Sequence, residues 1–135
     1  MNTLDVRVEN GQRVIEKWDS VFEAVSAEPR RQLVFSLLDA PPNQSVPLPE
    51  SAANPNVPID ADRLRQELYH RHLPMLADMG FIEWEREPLS ASRGPNFEEV
   101  GIVFDALHSA VGDIPDSLVV GCQRLERKRQ ENIEI

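Results

Sequence analysis

Between Asp60 and Glu85 the apolar residues change period across a single glycine, and this predicts a helix that runs directly into a strand. Leu64, Leu68, His72 and Leu76 recur every four residues, with Tyr69 and Leu73 beside them, which is the stripe of a helix packed on a core. Asp60 suits the N-cap, because its carboxylate can accept from the free N–H groups of the first turn. Gly80 stands where a helix-ending glycine belongs. Directly after it, Phe81-Ile82-Glu83-Trp84-Glu85 alternates with a period of two, as a half-buried strand does. Pro74 lies inside the helical stripe and lacks an N–H, so a kink or a division is expected near Leu73. The expected helix spans 60–79.

The flanking segments suggest three units: an N-terminal arm or hairpin over 1–19, a main domain over 20–112, and a C-terminal helix and tail over 113–135. Leu4, Val6 and Val8 alternate with Asp5, Arg7 and Glu9; Asn10-Gly11 and Val14-Ile15 follow, which is a hairpin signal. Such a hairpin would have to dock on the body, and a frayed arm is the alternative. Ser20-Val21-Phe22-Glu23 reads as a capping box opening a short helix, with Val21, Phe22 and Val25 on its apolar side. Pro29 suits the first turn of a second helix carrying Leu33, Val34, Leu37 and Leu38, which Pro41-Pro42 ends. Residues 40–59 contain six prolines and read as loop, with room for one helical turn near Pro49 to Ala53. That stretch is either a mobile surface loop or a degraded helix. Asn96 to Glu99 signals another helix start, followed by Phe97, Val100, Phe104, Leu107 and Val111 at helical spacing. A last helix is expected from about Asp116 to Gln130, with Leu118, Val119, Cys122 and Leu125 on one side.

Three helices, a strand, a turn and a return strand describe a winged helix-turn-helix. The run from His72 through Leu73-Pro74-Met75-Leu76 to Gly80-Phe81-Ile82 resembles the junction of recognition helix and wing in ArsR-like winged helices. It is more similar still to a winged-helix family abundant in salt-loving archaea. That pattern comprises an arginine pair on the second helix, here Arg30-Arg31, then LxHxHLPxL, here Leu68 to Leu76, then a glycine and a strand. Its RGxxF-type segment is Arg93-Gly94-Pro95-Asn96-Phe97. The resemblance covers roughly residues 20 to 105. It implies a mainly α fold with a small β-wing, and a transcriptional regulator that binds duplex DNA as a homodimer. The sequence departs from the pattern where prolines replace most of the helix that should brace the recognition helix.

With Leu64, Leu68, His72 and Leu76 turned inward, the expected reading face presents Arg63, Gln66, Glu67, His70 and Arg71. Arginine pairs bidentately with guanine and glutamine with adenine. Arg86 and Arg93 flank the wing and are expected at phosphates or in the minor groove; Arg30 and Arg31 begin the second helix and either reach phosphates or are solvated or paired with a nearby carboxylate. His72 reads instead as a packed, hydrogen-bonded core histidine, and Tyr69 and Trp84 as core or wing packing. The helix after the wing and the last helix are the expected dimer surfaces.

Charge bears on this reading from two directions. The formal net charge of −9 argues against strong attraction to phosphates. Yet only Lys17 and Lys128 are lysines, while the other twelve of the fourteen basic residues are arginines. Excess carboxylate with scarce lysine suits a protein kept soluble in concentrated salt, where the Debye length falls to about 3 Å at 1 M. A GC-rich coding sequence would give a similar bias. Cys122 is the single cysteine, so no intrachain disulfide forms, which suits a reducing cytoplasm. No signal-peptide pattern opens the sequence, and no apolar run approaches the roughly 18 residues that span a bilayer.

There is no glycine-rich phosphate loop, nucleophile elbow or zinc-protease motif, so the sequence suggests no enzyme, no metal and no cofactor. Two other classes remain beside the DNA reader. One is a winged helix that has lost DNA contact and serves as a protein-interaction module. The other is a small-molecule or redox sensor built around Cys122 or a pocket.

Overall fold

The computed structural model describes residues 3–134. Helix α2 (Glu28–Asp39) lies at the centre and is buried almost all round, with Leu33, Val34 and Leu37 fully covered and Phe35 nearly so. Pro29 sits in its first turn and an extended Ala40 ends it, as expected from the prolines that follow. It packs against α5 (Phe97–Ser109), the segment after Pro49 and the middle of helix 61–78.

The proline-rich segment is ordered and contributes to the core. Val46–Pro47 forms strand β1, and Glu50–Ala52 makes one 3-10 turn, within the Pro49 to Ala53 stretch expected to hold one helical turn. Val46, Leu48 and Ala52 are buried, and Ser36 Oγ on α2 donates to Ser51 O at 2.7 Å. The segment thus packs on the body, and that one turn is its helical part. Pro47 is tolerated because β1 is an edge strand.

Helix 61–78 comprises α3 (Ala61–Glu67), a wide π turn (Leu68–His72) and α4 (Leu73–Asp78). Asp60 caps it as expected, its side chain accepting from the N–H groups of Asp62 and Arg63. The helix changes at Leu73, whose N–H bonds the carbonyl of Leu68, five residues back. Pro74 explains the widening. Its ring cannot donate to His70 O and would collide with that carbonyl in a regular helix, and a π turn makes room.

Strands β2 (Ile82–Arg86) and β3 (Leu89–Arg93) form an antiparallel hairpin, with Trp84 opposite Ala91. β1 pairs antiparallel with β3, Val46 opposite Ala91, so the sheet order is β1-β3-β2. Two glycines permit the crossing at the base of the hairpin. Gly80 has φ 78, and a Cβ on Gly94 would lie 2.6 Å from Gly80 O and 2.7 Å from Ile82 N.

Both termini differ from expectation. Residues 3–24 form one helix, α1 (Thr3–Ala24), not an arm or hairpin, and the expected capping box at Ser20–Glu23 lies within it. The apolar residues from Val8 to Val25 follow a helical repeat, which overrides the local alternation around Asn10-Gly11. The division at residue 19 therefore falls inside a helix. At the other end, two 3-10 turns (Val111–Asp113 and Asp116–Leu118) precede α6 (Gln123–Glu134). Gly121 adopts φ 100, which no helix accommodates, so the expected helix over 116–130 cannot form as one piece. No described helix is long and apolar enough to cross a membrane.

Candidate nucleic-acid interface

The inward face of helix 61–78 is as expected: Leu64, Leu68, His72, Leu73 and Leu76 are all buried. Arg63, Gln66, His70 and Arg71 are exposed along its outer side, and so is Arg65. Arg63 Nε lies 3.3 Å from Glu67 Oε1 one turn away. The Arg63 side chain is 80% exposed, so this pair holds it only loosely. Asp60, Asp62 and Glu67 share this part of the surface, which leaves it close to neutral.

The hairpin is fixed to the helix by an aromatic stack. Tyr69 and Trp84 meet edge to face at 5.9 Å, and Tyr69 Oη donates to Arg86 O at 3.1 Å. The Arg86 guanidinium lies 5.1 Å from the Trp84 ring centre and 5.5 Å from that of Tyr69. Arg86 is thus held beside the helix while staying exposed, an arrangement suited to phosphate. Glu83, Glu85 and Glu87 surround it on the same hairpin, also exposed.

Three of the expected DNA contacts are engaged elsewhere. Arg30 is 1% exposed and cannot touch a phosphate. Its guanidinium donates to Ala24 O at 2.9 Å, Glu23 O at 3.1 Å, Ser26 Oγ at 2.9 Å and His72 Nδ1 at 2.8 Å. Burial, reinforced by the nearby Arg71 charge, lowers its pKa from the ordinary arginine value. Arg31 is half-buried, donating to Val25 O at 2.7 Å and to Glu28 at 3.1 Å. Arg93 points back from the hairpin rather than out of it: it donates to Leu37 O at 2.9 Å and Ala40 O at 3.2 Å, over the Phe97 ring. It thereby satisfies carbonyls at the end of α2 that no helical N–H reaches.

His72 is the packed, hydrogen-bonded histidine that its place in the stripe suggested. It is 3% exposed, and burial, followed by the Arg30 charge, lowers its pKa to about 4. A neutral ring there accepts from Arg30 and couples the α1–α2 junction to the π turn of helix 61–78. No sequence signal marks this link, because 42 residues separate the partners.

Cys122 lines a separate groove of about 690 Å³ with Phe35, Phe104, Leu107 and Leu118. Among the described residues, no group of three His, Cys, Asp or Glu side chains could hold a metal ion. The chain matches no family model, no curated protein and no solved structure.

Proposed function

We propose that the chain is a winged-helix regulator that reads duplex DNA with helix 61–78 and steadies itself on the backbone with the β2–β3 hairpin. The observation that carries this reading is the order of elements around the sheet. A helix leads to an edge strand, a short brace and a long exposed helix, then a hairpin whose second strand pairs with that edge strand. This order supports reading the fold as a winged helix, and the resemblance around His72-Leu73-Pro74 falls at the junction of helix and hairpin on which that reading turns. On this reading Arg63, Gln66 and His70 meet base edges, and Arg71 beside them meets the backbone. Arg86 lies where a wing meets phosphate.

The near-neutral face limits how such a protein binds. Arg65, Arg71 and Arg86 supply about three phosphate contacts, for a salt slope near −3 at about 0.9 per contact. Fluorescence anisotropy on a duplex library, titrated with KCl, measures that slope. Binding with a slope near −3, weakened by Arg71→Ala and by Arg63→Ala, supports the reading. No binding at any salt where the protein stays folded refutes it.

A second reading is favoured by the carboxylates at Glu83, Glu85 and Glu87 on the hairpin: a winged helix that binds protein instead. It becomes the leading reading if DNA binding is absent.

A further inference from the structure

We propose that α1 pairs with α1 of a second copy of this chain in an antiparallel two-helix seam. Val8, Gly11, Ile15, Trp18 and Phe22 follow one another at alternating spacings of three and four, the seam repeat of a coiled coil. The end of α1 is anchored, with Val21 and Ala24 buried in the body and Lys17 paired to Glu99 on α5 at 3.1 Å. Helical geometry turns the seam about a quarter-turn away from those anchors. Val8 is 54% exposed, Ile15 61%, Trp18 50% and Phe22 61%. Trp18 and Phe22 stack on each other at 5.9 Å and are covered by little else.

The occupant follows from area and from layer sizes. Trp18 and Phe22 each leave on the order of 100 Å² of apolar surface. With the aliphatic positions and flanking residues, two such seams reach about 1,200 Å², the lower end of stable specific interfaces. An antiparallel two-fold about Arg13 sets Gly11 against Ile15 of the second copy and Val8 against its Trp18. These two layers each join a small residue to a large one. A parallel pair would instead stack glycine on glycine, leaving a void, and tryptophan on tryptophan. Gly11 has no purpose within the monomer: a Cβ there would meet nothing within 4 Å, yet glycine weakens a helix interior. Pairing also brings together two chains that each carry a net charge of −9, a repulsion that salt screens. Association should therefore tighten with KCl, the opposite of DNA binding. The pairing does not depend on what helix 61–78 touches.

Sedimentation equilibrium of the full chain at about 0.1 M and about 1 M KCl tests this. The expected result is a micromolar dimer, tighter at the higher salt and weakened at least about 100-fold by Ile15→Glu or Trp18→Glu. Circular dichroism should show both variants folded, since each position is half exposed or more, and Glu16→Ala should leave the dimer unchanged. A monomer at every concentration, or a dimer indifferent to both seam variants, overturns the proposal. Orientation is read by oxidative cross-linking in a Cys122→Ser background. Gln12→Cys cross-links to itself in the antiparallel pair, whereas cross-linking of Val8→Cys alone would overturn that register.

Discussion

Mild acid should destabilise this fold through His72, and glutamine at that position should remove much of the effect. Arg30 Nη1 lies 2.8 Å from His72 Nδ1. A guanidinium has no acceptor, so Nδ1 must carry the lone pair and the ring must be neutral, with its proton on Nε2. Protonating Nδ1 would set two donors and two like charges against each other inside the core. Burial first, then Arg30, lowers the pKa to about 4 from the ordinary histidine value of about 6.5. The unfolded chain thus binds this proton near pH 6.5 and the folded chain only near pH 4. Between those values the unfolded state holds more protons, so stability rises with pH. The contribution is fully present above about pH 6.5 and is lost as pH falls towards 4. It amounts to about 3 kcal/mol in all, of which about 2 kcal/mol is lost between pH 7 and pH 5. His108 is also lowered by burial and acts in the same direction, so the wild type alone does not isolate His72. His72→Gln keeps an acceptor for Arg30 but does not titrate. Urea unfolding at constant KCl should show the wild type losing about 2 kcal/mol more than His72→Gln between pH 7 and pH 5. Equal losses would mean that the ring does not hold a depressed pKa in the fold, and the Arg30–His72 argument would fail.

Three substitutions test the packing directly. Arg30→Lys should cost about 3 kcal/mol in denaturant unfolding, because one ammonium cannot reach the four acceptors that the guanidinium spans; a neutral result would mean these bonds contribute little. Gly94→Ala should cost more than about 2 kcal/mol, since its Cβ would press on main-chain atoms 2.6–2.9 Å away. Gly11→Ala should instead raise the stability of the monomer by up to about 1 kcal/mol, as the helix gains and nothing is displaced. Thermal melts at concentrations below the dimer range distinguish the last two by opposite signs.

The parts of the fold that were readable in the sequence are those whose causes are local. Asp60, the four-residue stripe, Gly80 and the alternation after it sufficed for helix 61–78 and β2, because caps and periods act over a few residues. The π turn follows from Pro74, whose predicted effect near Leu73 was right in place but not specific in form. α1 was misread because Asn10-Gly11 after alternating valines imitates a hairpin, while the repeat from Val8 to Val25 becomes decisive only over three heptads. β1 could not be read at all: Val46–Pro47 is a strand only because β3, more than 40 residues later, presents Ala91 and Ser90 to it. Neighbours Arg30 and Arg31 were read as equivalent, yet a helix sets them about 100° apart, and only Arg30 reaches the buried ring of His72.

The arginines join composition, fold and function in one argument. Arg30, Arg31, Arg93 and Arg129 each donate to at least one main-chain carbonyl. A carbonyl carries no net charge, so molar salt does not screen these bonds as it screens a surface pair such as Arg63–Glu67. A planar fork can reach several acceptors, whereas a single ammonium presents all its donors from one atom. A chain rich in arginine and poor in lysine therefore has ties between elements that survive concentrated salt. The same use removes arginines from any nucleic-acid surface. Of the eight residues the sequence suggested for DNA, Arg30 and Arg93 serve the interior and Arg31 the α1–α2 junction. Arg63, Arg65, Arg71 and Arg86 are the exposed cations left on the helix and hairpin. With Arg63 at a base edge, the other three are left for the backbone. A salt slope much steeper than about −3 would thus require basic residues outside this face, and Arg127 and Lys128 on α6 would be the next place to substitute.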